Sequence, residues 1–376
     1  MAITDPNSVL ILGAGVSVPF GLPTGAGLID DIANNLKEQL RDFIRRNDYG
    51  FSVNPLYPVN SEKTFLRYSY LQPLLWKNGL VNSDMKLAED RNQLDAIMHQ
   101  ELTKMEHLQK LLENQTSDSI DDFIIMNPSY ADYVKICIAA EFIKVLYETD
   151  SEIRQYKLVD ISSRYFRLTA DKNPERNWIH RLINLVRLGI ADGKVATENK
   201  VRIITFNYDT ILEYVLEQQF SNTENGEADY PDYRDFIEIV HVHGKCGDLS
   251  AQINVPGEVC WEWASGIKVI REENSNDEIS KARTRAIELI TGAREIYCSG
   301  FAFAKANTDL IGLVLKSLEA FPREIHYCNF AGDTGLRNAA EKFAHKRGNG
   351  VVTKVVPQDN VGVSDWIGIG TLGELP

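Results

Sequence analysis

The chain has 376 residues, of which 44% are hydrophobic and 25% are charged, a balance typical of folded globular proteins. This composition excludes a mainly disordered or fibrous protein. Acidic residues outnumber basic residues by 53 to 40, and the resulting formal charge of −13 argues against sequence-independent binding to a nucleic-acid backbone.

The sequence predicts neither export nor membrane insertion. The apolar run Val9–Ala14 is too short for a signal peptide, and no stretch approaches the roughly 18 apolar residues of a membrane span. The cysteine count is odd and no C-x-x-C pair occurs, which argues against a disulfide framework and against a structural zinc site. We therefore expect a cytoplasmic protein. The cysteines are Cys137, Cys246, Cys260, Cys298 and Cys328.

Short apolar runs rich in β-branched residues predict strands in the first and last parts of the chain. Helical patterns follow several of them, at about residues 25–45, 209–220, 306–320 and 335–346. Alternating strands and helices predict an α/β fold, with a Rossmann-like parallel sheet and helices on both of its faces. The predicted strands are Val9–Leu12, Val201–Phe206, Ile237–Val242, Glu295–Ser299, Glu324–Phe330 and Val351–Val356.

The middle of the chain has little strand character. Lys86–Asn114 carries apolar residues at helical spacing, and Tyr133–Tyr147 and Asn177–Leu188 have similar patterns. We therefore predict a large all-helical insertion after the first strand, residues 26–199. Residues 1–25 and 200–376 then form one sheet domain.

A glycine-rich turn, Gly13-Ala14-Gly15-Val16-Ser17, follows the first predicted strand. Glycines at such a turn let backbone amides approach a pyrophosphate at a helix N-terminus. A tight turn without a ligand would explain them equally well. Val18 replaces the third glycine of a dinucleotide fingerprint, and no strand with an acidic end follows about 20 residues later. Both departures argue against an ordinary nicotinamide-dependent oxidoreductase.

Polar residues follow two of the predicted strands. Asn207 and Asp209 come directly after strand 201–206, where ligands of open parallel sheets bind. Asp209 also suits the N-cap of the next helix, and the two roles are compatible. His241 and His243 alternate onto one predicted strand face, and His243 precedes Gly244 at the strand end. His243 is therefore a candidate general base, while no acidic or cysteine partner at suitable spacing supports a metal site.

These motifs resemble those of the sirtuin family. Gly13–Ser17 with Gly21-Leu22-Pro23 is similar to the sirtuin GAGxS…GIP segment, Thr205–Asp209 resembles its TxNxD motif, and His243-Gly244 resembles its catalytic His-Gly. Two later positions also match in order, although Phe301 replaces a small polar residue. They are Gly300, at a position like the glycine-serine turn, and Asn329, at a position like the asparagine that contacts the adenine-side ribose.

Two departures from the sirtuin deacylase pattern argue against a peptide deacylase. The four-cysteine zinc module is absent, and Thr24-Gly25-Ala26 replaces the Asp-Phe-Arg that follows GIP. The pattern is closer to the sirtuin-like (Sir2-type) NAD hydrolases of bacterial anti-phage defence, which carry a helical insertion after the first strand. Ser119–Phe123 is similar to a short SIDxF element of that insertion, and it also reads as a helix-capping segment.

The resemblance implies an NAD glycohydrolase that releases nicotinamide and ADP-ribose, with NAD as substrate and no metal. Asn207, Asp209 and His243 are then the catalytic residues. The same resemblance implies a longer set of NAD-binding residues. They are Gly13, Ala14, Gly15, Ser17, Thr24, Asn207, Gly300, Phe301 and Asn329.

An NAD-depleting enzyme requires control, and the chain ends soon after the last predicted strand. The resemblance therefore implies a homo-oligomer that is controlled by a separate partner and does not bind nucleic acid directly. A HerA-type ring ATPase is the leading candidate for this partner, and a short Argonaute complex is the second. Two alternatives remain open. One is a protein deacylase or ADP-ribosyl transferase, and the other is a non-enzymatic NAD or ADP-ribose sensor.

Overall fold

The computed structural model describes most of the chain. The described residues are 4–47, 70, 91–115, 119–150, 155–169, 172–173, 177–221, 232–249, 256–269, 277–304, 306–310, 324–329, 332–345, 354–359, 362 and 365–367. No helix within these ranges is long and apolar enough to span a bilayer.

The strands of the described residues form two sheets. β2 and β3 pair as a two-stranded antiparallel sheet, and the other strands form one six-stranded parallel sheet in the order β5-β4-β1-β6-β7-β8. Numbered within that sheet alone, the order is 3-2-1-4-5-6, which is the Rossmann order. The predicted α/β class with a Rossmann-like parallel sheet is confirmed. The strands are β1 Ser8–Leu12, β2 Tyr147–Asp150, β3 Gln155–Leu158, β4 Val201–Thr205, β5 Ile237–His241, β6 Glu295–Ser299, β7 Glu324–Asn329 and β8 Lys354–Asp359.

The central strand β1 is buried on both faces. All five of its residues are buried, and Val9 and Ile11 pack into a core with Ile204 and Ile296. Leu12, the last residue of the strand, lines a small cavity. Burial on both faces explains why this strand reads as an uninterrupted apolar run in the sequence.

Each predicted helical pattern within the described residues corresponds to a helix, with bounds that agree to within a few residues, and residues 306–310 are also helical. Four further helices were not predicted individually: Ile120–Met126, Ile161–Thr169, Pro256–Gly266 and Asp277–Gly292. The remainder of the helix predicted at 306–320 lies outside the described residues, as do the predicted strand positions 351–353 and 330. The helices are α1 Gly25–Asn47, α2 Arg91–Glu113, α3 Ile120–Met126, α4 Ala131–Leu146, α5 Ile161–Thr169, α6 Trp178–Ala191, α7 Ile211–Ser221, α8 Pro256–Gly266, α9 Asp277–Gly292 and α10 Thr334–His345.

Internal contacts group the chain into two units. A sheet unit comprises residues 1–21, 162–244 and 270–376, and a helical unit comprises residues 22–161 and 245–269. The region predicted to be all helical also contains the β2–β3 hairpin, whose four-residue strands are too short to show in the hydrophobic pattern. The predicted domain division after residues 25 and 199 stays a prediction, because grouping by contacts does not test which segments fold alone.

Candidate functional site

The glycine-rich turn after β1 packs directly against the turn after β6. Gly13 N–H donates to the Ser299 carbonyl and Gly15 N–H donates to the Gly300 carbonyl, both at 3.0 Å. A Cβ atom on Gly13 would lie 2.5 Å from the Gly300 oxygen, and one on Gly15 would lie 2.7 Å from the Gly300 Cα. The glycines are therefore required for close backbone packing between two strand ends, whether or not a ligand binds.

Four of the five amides of this turn already have acceptors within the chain, and the Ala14 amide is not among these four. Besides Gly13 and Gly15, Val16 N–H donates to the Gly13 carbonyl and Ser17 N–H donates to the Ala14 carbonyl, both at 3.1 Å. The assignment of Gly13, Ala14, Gly15 and Ser17 to a pyrophosphate stays a prediction. A phosphate at this turn needs donors beyond these four amides.

Three of the predicted site residues form one buried hydrogen-bond network. Ser17 Oγ donates to Asp209 Oδ2 at 2.7 Å and accepts from Asn207 Nδ2 at 3.0 Å. Asp209 Oδ1 also accepts from Ile211 N–H at the start of α7, which is the capping role predicted for it, while its role toward a ligand stays a prediction. Because Ser17 gives its proton to the carboxylate, it accepts from the Asn207 amide, and this fixes which way that amide points.

Burial raises the pKa of Asp209, and hydrogen bonds from Ser17 and Ile211 oppose that change. The negative charge of Glu213 raises the pKa further, whereas His241 lowers it. A buried carboxyl with a raised pKa beside a cavity is typical of functional sites.

Asp209→Asn is expected to raise the thermal midpoint at pH 7 by about 1–3 °C, because it removes a desolvated charge. The unfavourable contribution is absent below the ordinary carboxyl pKa and complete above the raised pKa of the folded state, so the gain shrinks toward about pH 4. Thermal unfolding at both pH values tests this, with the exposed Glu198 changed to Gln as control. A lower midpoint at pH 7 would show that the ionised carboxylate stabilises the fold.

Asn207 is held in place by three of its own groups. Its N–H donates to Thr205 Oγ1 at 3.1 Å, its Nδ2 donates to Ser17, and its carbonyl lies 3.2 Å from His241 Nδ1. Its Oδ1 atom is buried and has no hydrogen-bond partner among the described residues. This oxygen is therefore the group that the surrounding protein leaves available for a ligand.

His241 and Glu213 form a buried pair behind Asn207. Since a carbonyl only accepts, His241 Nδ1 carries a proton toward Asn207, and His241 Nε2 lies 2.5 Å from Glu213 Oε1. Glu213 was not among the predicted site residues. Its position four residues after Asp209, in the first turn of α7, is the signal that identifies it.

His243 is fully buried at the end of β5. Its Nε2 lies 3.0 Å from Asn307 Oδ1, and its ring contacts Phe206 and Tyr208 at centroid distances of 5.4 and 5.9 Å. An amide oxygen accepts, so Nε2 carries the proton, and Nδ1 keeps a lone pair that has no partner within the described residues. Asn307 was missed, because nothing in its local sequence distinguishes it from other helix residues.

The two histidines were predicted to share a strand face, but they have different partners. The strand pairing ends at Thr205 and His241, so His243 lies in the turn that follows β5, and the shared face stays a prediction. His241 bonds to Glu213 and Asn207, whereas His243 bonds to Asn307.

The end of β6 carries another buried polar group. Ser299 is fully buried, and its Oγ has no hydrogen-bond partner in the described part of the chain. Gly300 follows with φ +61°, and the Phe301 ring packs in the core against Phe206 and Phe303. Phe303 adopts φ +54°, which is rare for an aromatic residue. The structure therefore places the Phe301 side chain in the core, while Ser299 is a site residue that the sequence did not indicate.

The remaining predicted residues lie elsewhere. Thr24 Oγ1 accepts from Gly27 N–H at 3.3 Å and so caps the first turn of α1. Asn329 ends β7 opposite Asp359, but its side chain lies outside the described residues. No group of three or more potential metal ligands occurs among the described residues, and all five cysteines are free thiols.

A small cavity opens beside the network, with room for about one water molecule. Two aromatic residues close it, and one of them, Trp178, donates from Nε1 to the Val16 carbonyl at 3.0 Å. The sequence analysis placed Trp178 in the helical insertion, yet its side chain hydrogen-bonds to the glycine-rich turn. The cavity is lined by Leu12, Val16, Ser17, Phe20, Trp178, Thr205, Asn207, Asp209, Ile211, Leu212, Glu213 and His241.

The site lies at the carboxyl edge of the sheet, around the switch point between β1 and β6, where open α/β sheets bind their ligands. Three unpartnered buried atoms follow three strands there: Asn207 Oδ1 after β4, His243 Nδ1 after β5 and Ser299 Oγ at the end of β6. Buried polar atoms in proteins nearly always have partners, so these three are available to a polar ligand or to ordered water. No protein-family model matches the chain.

Proposed function

We propose that the protein is an NAD glycohydrolase, which cleaves the bond between nicotinamide and ribose to give nicotinamide and ADP-ribose. The main support for this proposal is a pair of buried acceptors without partners among the described residues, Asn207 Oδ1 and His243 Nδ1. They lie near the switch point of a sheet with the Rossmann strand order. Ribose hydroxyls, the carboxamide and water all supply donors for them. The sirtuin-like order of the motifs narrows the ligand to NAD.

In the proposed reaction, the ribose C1′–N bond breaks and its electron pair leaves with neutral nicotinamide. Water attacks C1′ and loses a proton, so NAD⁺ and water give nicotinamide, ADP-ribose and H⁺. Asn207 Oδ1 orients a ribose hydroxyl or the water, and Asp209 holds Asn207 through Ser17. His243 Nδ1 accepts the proton, and Asn307 holds the imidazole in the tautomer that leaves this nitrogen unprotonated.

Asn207→Ala is expected to lower nicotinamide release from NAD by about 100-fold or more, because the reacting groups lose their orientation. Purified protein is incubated with NAD, alone and with a candidate ring ATPase, and nicotinamide and ADP-ribose are measured. Asn338→Ala, at an exposed position of α10, serves as a matched control. Equal turnover by wild type and Asn207→Ala would contradict the assignment.

The same assay separates the alternatives. Nicotinamide release that requires an acylated peptide would indicate a deacylase, and transfer of the ADP-ribosyl group to protein would indicate a transferase. Tight binding of NAD or ADP-ribose without any release would indicate a sensor.

We further propose that the enzyme acts in the bacterial cytoplasm as an NAD-depleting effector of anti-phage defence. The narrow cavity and the engaged turn amides support a conformation that must open before a dinucleotide binds. That requirement suits control by assembly, as a homo-oligomer with a HerA-type ring ATPase or, second, within a short Argonaute complex. Turnover that is already maximal in the isolated chain would contradict partner control.

A further inference from the structure

A guanidinium group lies against Gly21, four residues after the glycine-rich turn Gly13–Ser17. Residues 13–21 are called the glycine-rich segment. Arg164, on α5, is close enough to Gly21 that a Cβ atom on that glycine would be 2.5 Å from Arg164 Nε and 2.8 Å from Nη2. Gly21 itself has φ +88° and ends the 3-10 turn Val18–Phe20. The absence of a side chain at Gly21 therefore leaves the space that the guanidinium occupies.

The residue after Arg164 on α5 packs against the same turn. Tyr165 is buried, and its ring packs against Phe20 with a centroid distance of 5.3 Å. This contact holds α5 next to the turn Val18–Phe20, beside which the Arg164 side chain lies.

Arg164 is a partly buried cation without a counter-ion in the described residues. Its Nε atom is buried and has no hydrogen-bond partner there, and no carboxylate of those residues pairs with it. Burial lowers the pKa of Arg164, and the nearby charge of Arg167 lowers it further. The chain has 53 acidic residues, yet no carboxylate of the described residues pairs with Arg164. Two neighbouring guanidinium groups, one of them without such a partner, are expected of an anion site.

A phosphate bound at the glycine-rich turn Gly13–Ser17 would need a donor of this kind. Four of the five amides of this turn, those of Gly13, Gly15, Val16 and Ser17, donate within the chain, so a phosphate there needs donors beyond these four. A guanidinium presents several N–H donors in a planar fork that matches phosphate oxygens.

We propose that Arg164, with Arg167 beside it, binds a phosphate of the dinucleotide at the end of the glycine-rich segment. This inference rests on the proposed function for the identity of the whole ligand, but the site itself takes a phosphate or pyrophosphate group. Arg164 would thus supply positive charge next to Gly21, at the end of this segment.

Titration calorimetry of the full chain tests this with ADP-ribose, inorganic pyrophosphate and, as a probe without phosphate, adenosine. Arg164→Ala is expected to weaken ADP-ribose binding by about 10- to 100-fold, as for loss of a charged hydrogen bond. Arg164→Lys keeps the charge but loses the planar fork of donors, so its affinity for ADP-ribose should lie between those of wild type and Arg164→Ala. Adenosine binding should be unchanged, and wild-type affinity for ADP-ribose should fall more steeply with salt than that of Arg164→Ala.

Arg285→Ala is the matched control, because it removes a guanidinium that is already paired with Glu238 at 2.6 Å and Glu288 at 2.9 Å. Thermal unfolding supplies a readout besides binding. A ligand role predicts that Arg164→Met unfolds at the same or a higher temperature, because it removes an unpaired charge. A clearly lower midpoint would show that Arg164 stabilises the fold and would overturn the proposal.

The outcomes separate this proposal from the proposed function. If wild type hydrolyses NAD and Arg164→Ala does so with an unchanged KM, the phosphate assignment is wrong and the hydrolase stands. If wild type releases no nicotinamide but binds pyrophosphate through Arg164, the anion site stands and the hydrolase is wrong.

Discussion

His243→Ala is expected to lower nicotinamide release from NAD by about 10²- to 10⁴-fold, the range found when a general base is removed. His243 is fully buried, with Nε2 bonded to Asn307 and Nδ1 without a partner among the described residues. Alanine removes the group at the end of β5 that accepts the proton in the proposed reaction, and histidine is the side chain that does so near neutral pH. Nicotinamide release over time, at saturating and low NAD, gives kcat and kcat/KM.

The control for this variant is another histidine of the same sheet. His326 lies in β7 and stacks on Tyr297 with a centroid distance of 4.7 Å, away from the proposed chemistry. His326→Gln is therefore expected to keep near wild-type turnover. If His243→Ala binds ADP-ribose, unfolds at the wild-type temperature and still turns over at the wild-type rate, His243 is not the base.

Gly300→Ala is expected to lower the free energy of unfolding by about 2–5 kcal/mol, because it combines a backbone clash with a strained dihedral angle. A Cβ atom at this position would lie 2.4 Å from Val16 N, 2.8 Å from Gly15 C and 2.9 Å from Gly13 O, all of them backbone atoms. The residue also has φ +61°, which adds strain for any side chain. The clash falls on the contact that joins the ends of β1 and β6.

Three other glycines separate the two causes. Gly13→Ala has the steric conflict, 2.5 Å to Gly300 O, at an extended φ of −122°, and it should cost about 1–3 kcal/mol. Gly193→Ala has φ +68° with nothing within 4 Å and should cost about 1 kcal/mol. Gly292→Ala has open space and no such φ, and should cost little. Urea unfolding of the four variants measures this, and a Gly300→Ala effect no larger than that of Gly193→Ala would show that the two turns do not pack as described.

The sheet was predictable because its strands are local patterns. Buried strands such as β1 and β4 read as short apolar runs, and the glycine-rich turn directly follows the first of them. The carboxyl ends of parallel strands lie at one edge, so Asn207, Asp209 and His243 could be placed in one region from their positions alone. The β2–β3 hairpin was missed because four-residue strands leave no clear period.

The partners of these residues could not be predicted in the same way. Ser17 bonds to Asp209 across 192 positions of the chain, and His243 bonds to Asn307 across 64. No local pattern distinguishes Asn307 from other polar helix residues, and Phe301 was assigned to NAD binding although its ring packs in the core.

The sequence by itself determined the Rossmann-like class, the glycine-rich turn and the polar strand ends, because periodicity and turn chemistry act between residues close along the chain. Only the tertiary structure decided what those residues do to one another. It showed that the glycines join two strand ends, that Glu213 and His241 hold Asn207, and that Arg164 lies over Gly21. Such contacts depend on how distant segments pack, and packing is a property of the whole fold.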